Sequence, residues 1–182
     1  LLMSVQIPNP DNFWDVYPHQ LSGGMRQRVC IAMALINDPE LIIADEPTTA
    51  LDVTVQAQIL NILNSLRKKR KLSILFISHD FGVISQLCDR VIVMYAGSIV
   101  EEGPVKNIMQ QAAHPYTSEL IKCVPQLGNM EHALHSIPGN PPSLNQLPEG
   151  CAFANRCQYK QDQCLKGSVP VSSKDNRSYK CF

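Results

Sequence analysis

The chain has 182 residues and a mass of 20.3 kDa, room for one ordinary domain and a small appendage but not for a multidomain enzyme. Hydrophobic residues make up 45% and charged residues 18%, with 16 basic against 16 acidic side chains, which excludes a disordered acidic tail and disfavours a polyanionic partner such as nucleic acid. No run approaches the roughly 18 consecutive apolar residues of a membrane-spanning helix, and Leu1-Leu2-Met3 offers neither the basic start nor the long apolar core of a secretory signal.

Ser22 to Ile36 reads as a helix, because Met25, Val29, Ala32, Met33 and Ile36 recur at three- and four-residue spacing behind Ser22, a good N-cap. Asp38-Pro39 ends it. Leu41 to Ala44 is a short, wholly apolar run suited to a buried parallel strand, and it meets two carboxylates, Asp45-Glu46, at its C-terminal end. Open parallel sheets bind ligands at that edge. Asp52 is placed to cap a second helix whose apolar face is Val55, Ile59, Ile62, Leu63 and Leu66, closed by the basic run Arg67 to Lys71. That run reads as a solvated helix end.

A second buried strand is expected at Ser73 to Ser78, followed by His79-Asp80 and a short amphipathic helix through Leu87. Val91 to Tyr95 and Ser98 to Val100 flank Ala96-Gly97 as a hairpin or a pair of edge strands. Beyond Gly103 the character changes: eight of the thirteen prolines follow it, and four of those fall between Pro138 and Pro148. A compact α/β unit over residues 1–103 is therefore expected, then a helical connector near Tyr116 to Val124, a proline-rich loop and a cysteine segment within 104–182. Of the seven cysteines, Cys30, Cys88 and Cys123 sit singly among apolar neighbours and read as small buried hydrophobes. Cys151, Cys157, Cys164 and Cys181 cluster in a polar tail, and an odd total in a chain with no visible export signal speaks against a disulfide framework.

Leu21-Ser22-Gly23-Gly24 opens a helix with a hydroxyl, two residues lacking Cβ and free backbone amides, so a phosphate can approach closely. By itself this is also the pattern of an ordinary turn. The apolar strand ending in Asp45-Glu46 adds one carboxylate for a magnesium-bound water and one to face the water that attacks a γ-phosphate. His79, after the next parallel strand, falls on the same edge.

Tyr17-Pro18-His19-Gln20-Leu21-Ser22-Gly23-Gly24-Met25-Arg26-Gln27-Arg28, Leu41-Ile42-Ile43-Ala44-Asp45-Glu46-Pro47 and Ile77-Ser78-His79-Asp80 resemble the signature motif, Walker B strand and H-loop of ABC-transporter ATPases, in matching order and spacing. The wider superfamily commonly has Gln where this chain has Met25, a departure associated with the peptide-importer branch. His114-Pro115-Tyr116-Thr117, Ile137-Pro138-Gly139-Asn140-Pro141-Pro142 and Gly150-Cys151-Ala152-Phe153-Ala154-Asn155-Arg156-Cys157 resemble the C-terminal extension of the oligopeptide and dipeptide importer ATPases.

The resemblance implies a partial P-loop NTPase (RecA-like) fold, an α/β parallel sheet with flanking helices, incomplete at its N-terminus and followed by a loop-rich extension. It implies that Asp45 organises Mg²⁺, Glu46 polarises the attacking water and His79 senses the γ-phosphate. Asp52 in the D-loop would couple two nucleotide sites, and Ser22, Gly23 and Gly24 would contact ATP held by an opposite subunit. The implied partners are a second ABC ATPase subunit, two membrane-spanning permease subunits and, indirectly, an extracytoplasmic peptide-binding protein, with the ATPase peripheral on the cytoplasmic face of the inner membrane.

No Gly-x-x-x-x-Gly-Lys-Ser/Thr occurs among the nine glycines, and neither the Q-loop nor the adenine-stacking aromatic is identifiable. The family places these before the signature helix, so the expectation is the C-terminal part of a longer subunit, inactive towards ATP by itself and exposing an apolar sheet edge. Some peptide-importer ATPases carry a four-iron four-sulfur cluster in this extension, which makes Cys151, Cys157, Cys164 and Cys181 candidate ligands by resemblance. Their spacing does not match paired zinc motifs, and zinc, a disulfide or no metal stand as alternatives. Two other readings of the chain are an inactive fragment serving as a binding or metal-carrying module, and a non-transport ABC ATPase.

Overall fold

The computed structural model describes residues 1–124 and 136–182, which divide into two compact units, Leu1–His79 and Asp80–Phe182. The first begins with short 3₁₀ turns and the helix α1 (Gly23–Ala34), then β1 (Leu41–Asp45), α2 (Val53–Arg70) and β2 (Ser73–Ile77). Both helices start on a side-chain cap: Ser22 Oγ accepts from Met25 N–H at 3.3 Å, and Asp52 Oδ1 from Val55 N–H at 2.9 Å. Each cap satisfies an amide that the first helical turn cannot.

The expected apolar faces fared differently. On α2 the periodicity holds, with Ile59, Ile62, Leu63 and Leu66 buried together with Leu60; each such side chain contributes about 1.5–3 kcal/mol. On α1 the buried positions are Ile31 and Ala32, with Leu35 just beyond, while Met33 and Ile36 are exposed. Charge explains part of the difference. Arg28, on the side where a simple stripe leaves a polar residue, turns inward: its guanidinium donates to Gln6 O at 2.6 Å and to Gln58 Oε1 at 2.8 Å, tying the N-terminal turn and α2 to α1.

Strands β1 and β2 pair in parallel, with Leu41 opposite Ser73 and Asp45 opposite Ile77. Both were expected to be buried on both faces. In β1 only Ile42 and Ala44 are, and in β2 Ile74 and Phe76 are half-buried, so one face of this two-stranded sheet is covered and the other carries exposed Leu41, Ile43, Leu75 and Ile77. An unbroken apolar run does not by itself report how many faces are covered.

The second unit comprises α3 (Phe81–Leu87), β3 (Arg90–Tyr95), β4 (Ser98–Pro104), α4 (Val105–Gln111), α5 (Pro115–Lys122), β5 (Val171–Lys174) and β6 (Arg177–Lys180). Its sheet runs β3-β4-β6-β5, antiparallel throughout. The hairpin β3–β4 turns at Ala96-Gly97, both at positive φ, and β5–β6 turns at Asp175-Asn176, also both positive. Such turns match the twist of the strands they join. Strand β6 lies against β4, and Phe153 packs in one core with Phe81, Val93, Tyr95 and Ile108. The hairpin and the cysteine segment thus share a core, and Gly103, where the composition changes, lies inside β4.

Cys30 is exposed, against the expectation of burial, while Cys88 and Cys123 are half-buried. No described helix is long and apolar enough to cross a membrane.

Candidate functional site

The parallel register carries the polar residues after β1 and β2 to one end of the sheet. Glu46 N–H donates to Ile77 O at 3.0 Å, extending the pairing by one step, and the Glu46 backbone then turns into the left-handed region at φ 43°. A non-glycine residue held there costs on the order of 1 kcal/mol or more and is characteristic of functional turns. The turn aims the carboxylate at two partners: Thr49 Oγ donates to Oε2 at 2.8 Å, and His79 Nδ1 lies 3.1 Å from Oε1. The Thr49 hydrogen bond, then the His79 hydrogen bond, hold the Glu46 carboxyl below the usual carboxylate range. An ionised, exposed carboxylate with its lone pairs oriented is suited to accept a proton from a water in front of the strand end.

Asp45, the last residue of β1, is exposed beside it. Among the described residues no three His, Cys, Asp or Glu side chains gather closely enough to hold a metal ion. An exposed single carboxylate fits the way Mg²⁺ is held beside a nucleotide, through one or two carboxylates, waters and phosphate oxygens.

Ser22, Gly23 and Gly24 stand at the start of α1, next to the start of α2. A Cβ on Gly24 would meet Val55 Cγ1 at 2.6 Å, and one on Gly23 would touch Leu51 at 3.4 Å. The glycines therefore serve close helix packing as well as leaving the amides open. Asp52 spends one carboxylate oxygen on the α2 cap. The structure so brings Glu46 and His79 together directly, and sets the Ser22–Gly24 turn beside the residues around Asp52. Thr49 was missed from sequence: a hydroxyl three residues after a carboxylate in a turn was a usable signal.

In the second unit, Cys151, Cys157, Cys164 and Cys181 all line one cavity of about 100 Å³, and all four are free thiols. Cys151 N–H donates to Cys164 O at 2.8 Å. Gly150 permits that approach, since a Cβ there would collide with the Cys164–Leu165 backbone. Burial pushes the Cys151, Cys157 and Cys181 thiols above their ordinary range. The thiols do not converge on a point where three could share one ion. As soft donors the four are of the type that both zinc and iron–sulfur centres use.

His114 belongs to the same wall and was not expected there. It is 1% exposed and caps α5, with Nδ1 accepting from Tyr116 N–H at 3.1 Å. Its own N–H and that of Ala113 donate to the buried Glu101 carboxylate at 2.9 and 2.8 Å. Burial holds the imidazole down to about 4, so the ring is neutral at pH 7.

Two family profiles match the chain: "ABC transporter" over residues 1–49, and "Oligopeptide/dipeptide transporter, C-terminal region" over 100–164. The oligopeptide transport ATP-binding protein OppD of Haemophilus influenzae is 51% identical over 164 residues, 90% of this chain and 51% of that protein. A putative peptide import ATP-binding protein of Brucella abortus is 47% identical over 181 residues, all of this chain and 54% of that protein. Among solved structures, the ATP-binding cassette MJ0796, in a dimeric post-hydrolysis state bound to ADP and Pi, superposes with TM-score 0.50 at 34% identity over 57% of this chain and 44% of that one. The cassette MJ1267 gives 0.55 at 27% identity over 65% and 46%. The fold is thus part of an ABC nucleotide-binding domain, and over nearly its whole length the chain is similar to ATP-binding proteins of peptide-importing ABC transporters. It spans about half the length of the curated relatives it matches.

Proposed function

We propose that this chain serves an ATP-hydrolysing subunit that energises uptake of oligopeptides or dipeptides across the cytoplasmic membrane. Residues 1–103 contribute the signature turn, Walker B strand, D-loop and H-loop, and residues 104–182 form the peptide-importer extension. The observation that carries this reading is the Glu46–His79 pair at the end of the parallel strands, at 3.1 Å. Glu46 accepts the proton of the water that attacks the γ-phosphate, Asp45 organises Mg²⁺ through water, and His79 lies where it meets the γ-phosphate. Ser22, Gly23 and Gly24 present amides to ATP on a second ATPase subunit, and Asp52 joins the two sites. Two permease subunits hold the pair at the inner face of the membrane, and a peptide-binding protein outside delivers the substrate.

The test is ATP turnover and peptide uptake by the assembled transporter carrying Glu46→Gln. Removing a positioned general base lowers turnover about 10²- to 10⁴-fold, with ATP binding retained. Turnover at the parental rate excludes Glu46 as the base.

The thiol cavity favours a second, compatible role as the seat of a four-iron four-sulfur cluster on Cys151, Cys157, Cys164 and Cys181. Four unpaired thiols lining one cavity support it. When bound, such a group supplies one-electron chemistry or a rigid cross-link between chain segments. The residues' part is to stay reduced, shed their protons and hold the loops apart by the width of the cavity. An anaerobic preparation that contains no iron and shows no visible thiolate-to-iron absorbance excludes the cluster.

A further inference from the structure

Of the four cavity cysteines, Cys151 and Cys164 are the two whose backbones meet. Cys151 N–H donates to Cys164 O at 2.8 Å, and among the described residues no other backbone hydrogen bond joins two of the four. The neighbouring residues keep the two segments in contact: a Cβ on Gly150 would lie 2.3 Å from Cys164 O and 2.7 Å from the Leu165 carbonyl carbon, so only glycine fits there. Residues paired through such bonds in a sheet have Cα atoms about 5.5 Å apart, and a disulfide spans roughly 4.4–6.8 Å between Cα atoms. Both side chains line the same cavity, so they project to one side and not away from each other. Both are half-buried free thiols, within reach of a small solute. Cys157 and Cys181 line the cavity without a backbone contact of this kind.

We propose that Cys151 and Cys164 form a reversible disulfide on exposure to a peroxide, a redox modification that cross-links the segment carrying Phe153 to the turn at Asp162–Leu165. The thiolate of one cysteine attacks an oxygen of hydrogen peroxide, forming an S–O bond as the O–O bond breaks, and the departing hydroxide takes up a proton as water. The thiolate of the other attacks that sulfur, forming the S–S bond and releasing the sulfenic oxygen, once protonated, as a second water. The two thiols give up two electrons between them, and one peroxide becomes two waters. A dithiol reverses the step by exchange. Burial raises the Cys151 thiol, which makes the pair a slow acceptor, since only the thiolate attacks. An odd total of cysteines argues against a full structural framework, not against one reversible pair. No metal takes part, and the inference is independent of the cluster reading.

The 182-residue chain is reduced and treated with a chelator under argon, so that no metal competes for sulfur, and is then exposed to one equivalent of hydrogen peroxide. Remaining thiols are alkylated and the linked peptides mapped by mass spectrometry, both for the native chain and after the same oxidation in guanidinium chloride. Native oxidation is expected to consume two of the seven thiols and to give Cys151–Cys164 as the dominant linkage, where the unfolded chain gives mixed ones. It is also expected to raise the melting temperature by several degrees, because the link closes a loop in the unfolded chain, and to be reversed by dithiothreitol. Cys157→Ser is expected to keep the linkage, and Cys164→Ser to lose both the linkage and the thermal shift. Cys151 and Cys164 that both remain open to alkylation after peroxide overturn the inference, as does a native linkage pattern no different from that of the unfolded chain.

Discussion

Glu46 and Thr49 illustrate how a turn prepares a carboxylate. The strand stops at Asp45, Glu46 enters the left-handed region, and three residues later the Thr49 hydroxyl returns to Oε2 at 2.8 Å. That hydrogen bond is the largest reason the carboxyl is held below its ordinary range, with His79 second. Activity that depends on ionised Glu46 is full well above its pKa and is lost as pH falls through it. Thr49→Val removes the larger support, raises that pKa, and makes the loss begin at higher pH. In the assembled transporter the acid limb of the ATPase pH profile is expected to move upward while the alkaline limb stays in place. An unchanged acid limb shows that Glu46 does not control it. Sequence reading found Glu46 and His79 because strand ends and spacing reveal them; Thr49 and His114 escaped it because their roles are set by side chains pointing at a partner, which spacing does not encode.

At the scale of elements, the close approach of α1 to α2 depends on Gly24. An alanine there gains about 1 kcal/mol of helix propensity over glycine, yet its Cβ meets Val55 Cγ1 at 2.6 Å, and overpacking costs about 1–3 kcal/mol. Val55 is β-branched and stiff at χ1, so it cannot swing away cheaply. Gly24→Ala is therefore expected to lower the melting temperature in the parent background and to raise it in Val55→Ala, where the obstruction is gone. Thermal unfolding of the four members of this cycle measures the coupling; additive changes exclude the contact as its source. The caps at Ser22 and Asp52 and the face of α2 were legible because they are local. Strand β6 was not, although alternation around Asp175-Asn176 could have suggested the β5–β6 hairpin. Its pairing with β4, Glu101 opposite Tyr179 and Glu102 opposite Ser178, joins residues nearly eighty apart and leaves no periodic trace. The four cysteines were legible as a cluster in sequence, but not that Phe153 between them anchors the segment in the core of the β3–β4 hairpin.

At the scale of the whole chain, the unbalanced feature is the uncovered face of the β1–β2 pair. Leu41, Ile43, Leu75 and Ile77 alternate with covered neighbours and are 45% to 63% exposed, on a sheet of two strands among the described residues. Two strands alone are marginal in water, and an apolar face joined to free strand edges is a template for association. Each of these side chains gains on the order of 1 kcal/mol when what remains exposed is covered, so four of them on each of two copies can offset the entropy of a weak dimer. The 182-residue chain by itself is therefore expected to sediment above the monomer mass at micromolar concentration, in proportion to concentration. Ile43→Lys, in the middle of the exposed row and away from Glu46, places a charge where a second copy would have to desolvate it. It is expected to return the chain to a monomer with little change in helix content. A parent chain that sediments as a monomer across that range, or an Ile43→Lys chain that associates as strongly as the parent, shows that this face does not drive assembly.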